Sequence, residues 1–101
     1  MPVICKEKGR SLMAQVAGEL DHHGAKAVME ELDRYIDEIL PRELILDLGG
    51  LTFTDSSGIA VLLRAQRRMG QLQGAVRVVN TPAQAERVFQ AAGLGRLIRF
   101  E

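Results

Sequence analysis

LILDLGGLTFTDSSGIAVLL, residues 44–63, decides the fold of this chain. Leu44-Ile45-Leu46-Asp47-Leu48 is a short, nearly continuous apolar run. Such a run reads as a central parallel strand, covered fully on one face and at least in part on the other. Gly49-Gly50 loosens the chain, and Leu51-Thr52-Phe53-Thr54 leads into Asp55-Ser56-Ser57-Gly58. A helix follows, with Ile59, Leu62, Leu63, Gln66 and Met69 on one side and Arg64, Arg67 and Arg68 mostly on the other. A strand that hands over directly to a helix is the core of a parallel α/β crossover.

Working outward, the same alternation recurs. Upstream, Ala25, Val28, Met29, Leu32, Ile36, Ile39 and Leu40 form one apolar helical stripe, stopped by Pro41. Asp21 stands where an N-cap belongs, its carboxylate free to accept first-turn amide hydrogens. Before it, Val3–Lys8 and Ser11–Ala17 read as two strands joined at Gly9-Arg10. Leu12, Ala14 and Val16 lie on one face of the second. Gly18-Glu19-Leu20-Asp21 closes that strand. Downstream, Gly70 and Gly74 bracket the turn into a strand over residues 75–80. Thr81-Pro82-Ala83-Gln84 reads as a capping box with proline at the first helical position. Ala85, Val88, Phe89 and Ala92 are the apolar face of that helix, Gly93 its cap, and Leu97–Phe100 a last strand. The order is strand, strand, helix, strand, helix, strand, helix, strand. It predicts a mixed, mostly parallel sheet of four to five strands packed by helices. Leu46, Leu48, Leu62, Val78 and Val88 are expected in the core.

Bulk properties bound the rest. One hundred and one residues suit one domain, 1–101. Hydrophobic residues make up 47% and charged residues 26%, the balance of a soluble globular protein. No apolar run approaches the roughly 20 residues of a membrane helix. The start, Met1-Pro2-Val3-Ile4-Cys5-Lys6, has no signal-like segment. The single Cys5 reads as a reduced, buried thiol, and the chain as cytoplasmic. Net charge is zero but uneven: residues 19–55 carry ten acids against three bases, and residues 56–101 seven arginines against Glu86 and Glu101. A nucleic-acid binder shows a stronger basic excess. The asymmetry suits either a protein partner of complementary charge or plain solvated helix surface.

Catalytic constellations fail on spacing. A nucleophile elbow needs Gly-x-Ser-x-Gly, and Ser56 has Thr54 where the first glycine belongs. His22 and His23 are the only imidazoles, and with one cysteine they lack zinc-ligand spacing. There is no Gly-Lys-Ser/Thr phosphate loop, and Gly93-Leu94-Gly95 is a helix-end turn. No metal, cofactor or catalytic residue is assigned. Asp55-Ser56-Ser57-Gly58 stands out by position, at the carboxyl end of a parallel strand, where open α/β sheets place functional groups. Its structural reading is a helix cap by Ser56 with a tight turn at Gly58. A capping hydroxyl is also held at the surface, so a cap and a modification site are compatible.

Three segments together resemble STAS domains of the anti-anti-sigma class: Gly18-Glu19-Leu20-Asp21, Leu51 through Ile59, and Phe89-Gln90-Ala91-Ala92-Gly93-Leu94. Gly18 to His23 and the ending Leu97-Ile98-Arg99-Phe100-Glu101 are most similar to the antagonists of anti-sigma F factors in sporulation. The resemblance implies a STAS-like α/β fold and partner switching. The unphosphorylated antagonist binds an anti-sigma factor that is also a serine kinase, and so releases the sigma factor. The kinase phosphorylates the serine directly after the Asp, here Ser56 with Ser57 second, and a serine phosphatase resets it. Asp21, Thr54, Asp55, Ser56, Ser57, Gly58 and Ile59 are the implied partner-binding residues. The chain is expected to be a monomer when free, without enzymatic activity, touching neither nucleic acid nor membrane. The alternative within the family is a non-switching STAS interaction module of a stress-sensing or lipid-transport assembly. Two departures stand out. Family members commonly carry a further helix after the last strand, and Thr54 stands where a larger apolar residue is common.

Overall fold

The computed structural model describes residues 3–101; Met1 and Pro2, which the domain reading includes, lie outside the described residues. β1 (Val3–Lys8) and β2 (Ser11–Leu20) form the expected hairpin, followed by α1 (His22–Ile39), β3 (Glu43–Thr54) and α2 (Ser56–Gln71). β4 (Ala75–Val79), α3 (Ala83–Ala91), a 3₁₀ turn over Leu94–Arg96 and β5 (Arg99–Phe100) complete the chain. The strands lie side by side in chain order, β1 antiparallel to β2 and every later pair parallel.

That topology fixes where the core is. Each parallel crossover is right-handed and steps the same way across the sheet, so α1, α2 and α3 all fall on one face. The alternation along the strands agrees. Val3, Leu12, Ala14, Val16, Leu44, Leu46, Leu48, Val76 and Val78 point to that face and are buried. Ala25, Val28, Leu32 and Ile36 of α1 meet them, as do Val61, Leu62, Ala65 and Met69 of α2 and Ala85 and Phe89 of α3. The aliphatic core implied by the composition is therefore one-sided, and among the described residues no helix covers the opposite sheet face.

Several boundaries differ from the sequence reading, each for a local reason. β2 runs to Leu20, three residues beyond Ala17, and β3 runs unbroken through Gly49-Gly50 to Thr54. The glycines do not loosen the strand. A side chain on Gly50 would press within 2.9 Å of Ala17 Cβ, so glycine is what lets the two strands stay paired there. The last strand shrinks to Arg99–Phe100, because Leu97 and Ile98 donate their amides to Leu94 and complete the 3₁₀ turn. Leu40 lies outside the apolar stripe: it is the left-handed C-cap of α1 and is exposed. On α2 the buried stripe is rotated to Gly58, Val61, Leu62, Ala65 and Met69, leaving Leu63 at the surface and Ile59 half-buried. Val88 packs on the core only in part.

Part of the charge asymmetry is met within the molecule. Arg64 and Arg68 of α2 pair with Asp33 of α1 at 2.6 and 2.9 Å, and Arg68 also pairs with Asp37. Two acids of the first half and two arginines of the second thus meet along the α1–α2 seam.

Candidate functional site

α1 and α2 begin at the same end of the sheet. The β2–β3 ladder ends with Leu20 opposite Thr54, and each strand then turns straight into its helix. The Asp55 amide donates to the Leu20 carbonyl at 3.3 Å, which stitches the two turns together. Each turn is capped by an aspartate. Asp21 Oδ1 accepts from the Gly24 amide at 2.8 Å, and Asp55 Oδ1 from the Ser57 amide at 2.7 Å. Asp21 therefore caps as expected. For α2 the cap is Asp55, not Ser56. The carboxylate reaches the second amide of the helix, which moves Ser56 to the first helical position and frees its hydroxyl from capping.

Ser56 is exposed, and Ser57, one residue on, is half-buried. Ser57 lies in a groove between the helices with His22, Ala25, Lys26, Met29 and Ala60. No hydrogen bond joins His22 to Ser57 or to either aspartate among the described residues, so the elements of a triad are near one another without being connected. Among the described residues no three His, Cys, Asp or Glu side chains converge on a metal site.

Thr54 and Gly58 have a different role from the one expected of them. Thr54 is 1% exposed, so it offers a partner no surface. Its hydroxyl donates to the Asp55 carbonyl at 3.0 Å and helps fix the cap. Gly58 is buried directly against it, and a Cβ there would overlap Thr54 Oγ1. A polar hydroxyl in place of a larger apolar side chain is thus paired with a glycine that makes room for it. Of the residues the resemblance implies for partner binding, Asp21, Asp55, Ser56, Ser57 and Ile59 keep exposed surface.

Gln84 is the residue that sequence reasoning missed. The Thr54 amide donates to Gln84 Oε1 at 3.1 Å, and Gln84 Nε2 donates to the Thr54 carbonyl at 2.8 Å. A two-point clamp from α3 thus stands where a longer β4 would pair, since the β3–β4 ladder ends at Asp47 and Val79. Gln84 therefore does not close a capping box: α3 has Pro82 at its N-cap and no side-chain cap. The only available signal was a glutamine thirty residues away, and the local motif explained it more simply.

With this geometry in view, the relatives are informative. The STAS domain model matches residues 3–101. The chain belongs to the STAS domain family. It is 31% identical over 85 residues to an anti-sigma F factor antagonist of Lysinibacillus sphaericus, across 84% of this chain and 73% of that protein. Among solved STAS structures it is similar to the anti-sigma factor antagonist SpoIIAA in its unphosphorylated form. The identity is 25%, the TM-score 0.83, with 98% of this chain and 87% of that one covered. It is similar also to the phosphorylated form of the Bacillus cell fate determinant SpoIIAA, at 25% identity, TM-score 0.74, and 98% and 90% coverage. The STAS fold carries a five-stranded mixed sheet here, within the four to five strands expected. No helix among the described residues is long and apolar enough to cross a membrane.

Proposed function

We propose that this STAS chain is an anti-sigma factor antagonist, switched by phosphorylation of Ser56. One observation carries the choice of residue: Asp55 takes over the capping of α2, which leaves the Ser56 hydroxyl exposed and uncommitted at the first turn. The partner is an anti-sigma factor that is itself a serine kinase, with a serine phosphatase to reverse the mark. The likeness to antagonists of that name, and to a protein solved in phosphorylated and unphosphorylated forms, supports this reading. The chain works as a monomer when free, in the cytoplasm, performs no catalysis and binds no nucleic acid.

The physical chemistry of the switch follows from the site. A phosphoserine brings about −1.5 to −2 charge and three acceptor oxygens. At the start of the sixteen-residue α2 the helix dipole and free amides favour an anion, so the fold tolerates it. Asp21 and Asp55 oppose it through partly screened repulsion. The loss falls on the partner: a bulky dianion replaces a hydroxyl in a close contact. A penalty of about 3–5 kcal/mol there lowers affinity by two to four orders of magnitude.

The test is to incubate the chain with its cognate ATPase-like kinase and ATP and map the phosphate by mass spectrometry. Ser56→Ala binds the kinase and resists phosphorylation, Ser56→Asp binds poorly, and Ser57→Ala stays a substrate. Phosphate on Ser57 with Ser56 unmodified would reassign the site, and stable kinase binding with no phosphate on either would favour a non-switching module.

A further inference from the structure

β3 outruns its partner on one side. The β3–β4 ladder ends with Asp47 opposite Val79, while β3 itself continues to Thr54. Beyond Asp47 only β2 pairs with it, and that ladder carries register shifts between Gln15 and Ala17 and between Gly18 and Glu19. The stretch that leads into Asp55 and Ser56 is therefore paired along one edge only, and irregularly. Such an edge leaves main-chain amides and carbonyls in need of other partners.

The connection between β4 and α3 takes over that edge at two points. Asn80, in the left-handed region at φ 58°, donates from Nδ2 to Asp47 Oδ1 at 3.2 Å, where the ladder stops. Gln84 takes both main-chain groups of Thr54, where β3 stops. The connection gives up local hydrogen bonds to do so. Thr81 and Gln84 are spaced to form a capping box, yet α3 has no side-chain cap. The Thr81 hydroxyl is buried without a hydrogen-bond partner among the described residues. A local rule broken in this way marks a residue held for another purpose. The anchor is firm, because Ala85 and Phe89 of the same helix are buried in the core.

From Thr54 the constraint passes to Ser56 through short bonds. Thr54 Oγ1 donates to the Asp55 carbonyl at 3.0 Å, and the Gly58 amide donates to the same carbonyl at 3.1 Å. Asp55 Oδ1 accepts from the Ser57 amide at 2.7 Å. Ser56 is the exposed residue between these anchored neighbours.

We infer that Gln84 is a positioning residue for the phosphoacceptor: from α3 it fixes the end of β3, and through Thr54 and Asp55 it sets where the Ser56 hydroxyl stands before the kinase. The inference rests on the phosphorylation reading. Gln84 is not a reacting group. Its effect is on geometry, and a displacement of about 1 Å at a reacting atom costs on the order of a hundredfold in rate.

The test compares two variants with the wild-type chain. Gln84→Leu keeps most of the bulk and removes both hydrogen bonds. Leu44→Ala, at the opposite end of β3, hollows the core without touching the turn. Phosphorylation of Ser56 by the cognate kinase is followed over a range of chain concentrations, at a temperature where melts show every variant folded. Gln84→Leu is expected to lower kcat about tenfold with KM within about twofold, because the surface the kinase meets is kept. Leu44→Ala is expected to leave both unchanged. Hydrogen exchange provides a readout that needs no kinase. In Gln84→Leu the Ser57 and Gly58 amides should quicken about tenfold more than the Leu46 amide, and in Leu44→Ala no such difference should arise. A kcat within about twofold of wild type, an equal fall in Leu44→Ala, or a change in KM alone overturns the positioning role. Unchanged exchange at Ser57 and Gly58 overturns it without the kinase. A wild-type chain left unmodified at Ser56 overturns the phosphorylation reading instead, and the exchange difference then decides whether Gln84 holds the turn.

Discussion

Replacing Gly58 by Ala puts a methyl group into the space held by Thr54 Oγ1, with Thr54 Cβ at 3.3 Å and Leu20 Cδ1 at 3.4 Å. None of these atoms is the loose end of a flexible side chain. Thr54 is 1% exposed, held by its own hydroxyl bond to Asp55 and by the Gln84 clamp, and Leu20 is 1% exposed. Relief must therefore come from displacing the first turn of α2. Overpacking of this kind costs about 1–3 kcal/mol, and the better helix propensity of alanine returns less than about 1 kcal/mol of it. The cause can be isolated at Thr54. Thr54→Ala alone loses a hydrogen bond and a methyl group, about 1–2 kcal/mol. It also removes the obstructing oxygen, so Gly58→Ala added on top should be nearly free. Thr54→Val keeps an atom in the same place and should give no rescue. Urea unfolding of the three single and two double variants supplies the cycles. If Gly58→Ala costs under about 0.5 kcal/mol, or if Thr54→Ala and Thr54→Val behave alike beside it, the steric account of this turn is wrong.

Leu46, fully buried at the middle of β3, should cost roughly 2–5 kcal/mol when cut to Ala; equilibrium unfolding measures it, and a loss below about 0.5 kcal/mol would displace β3 from the centre of the sheet. Gln84→Leu keeps most of the bulk but leaves the Thr54 amide and carbonyl unpaired, so a loss of about 1–3 kcal/mol is expected, with faster amide exchange at Thr54. Burial, and behind it the charge of Glu31, pushes the Cys5 thiol up from 9.0 to about 11. Iodoacetamide at pH 8.5 should then modify the folded chain at least tenfold more slowly than the unfolded one, and equal rates would show an open thiol. A raised thiol stabilises the fold fully below its ordinary value near 9, and that contribution is lost as the pH rises toward 11.

The fold was legible in the sequence because each element carries its own period. The apolar run Leu44–Leu48 could only be a covered strand, and the helical stripe of α1 and the Pro41 stop left little choice between them. Right-handed crossovers made the sheet mostly parallel, but the strand order and the single helical face are read from the structure. Asp21 was legible as a cap because its partner, Gly24, is three residues away. The failures share the opposite property: their partners are distant in the chain. Gly50 looked like a break because nothing local shows that Ala17 lies against it. Asp55 and Ser56 are equally good caps by residue type, and only the extended backbone at Asp55 separates them. Nothing local to Thr54 or Gly58 shows that the two are buried against each other. Gln84 was explained by the nearest motif, whereas its hydrogen bonds go to a strand thirty residues back. Sequence thus determined which segments are helix and strand and which end of the sheet holds the site, since those depend on period and handedness. Tertiary structure alone decided which of the site's side chains are exposed and which hold the turn, because that depends on contacts no local pattern encodes.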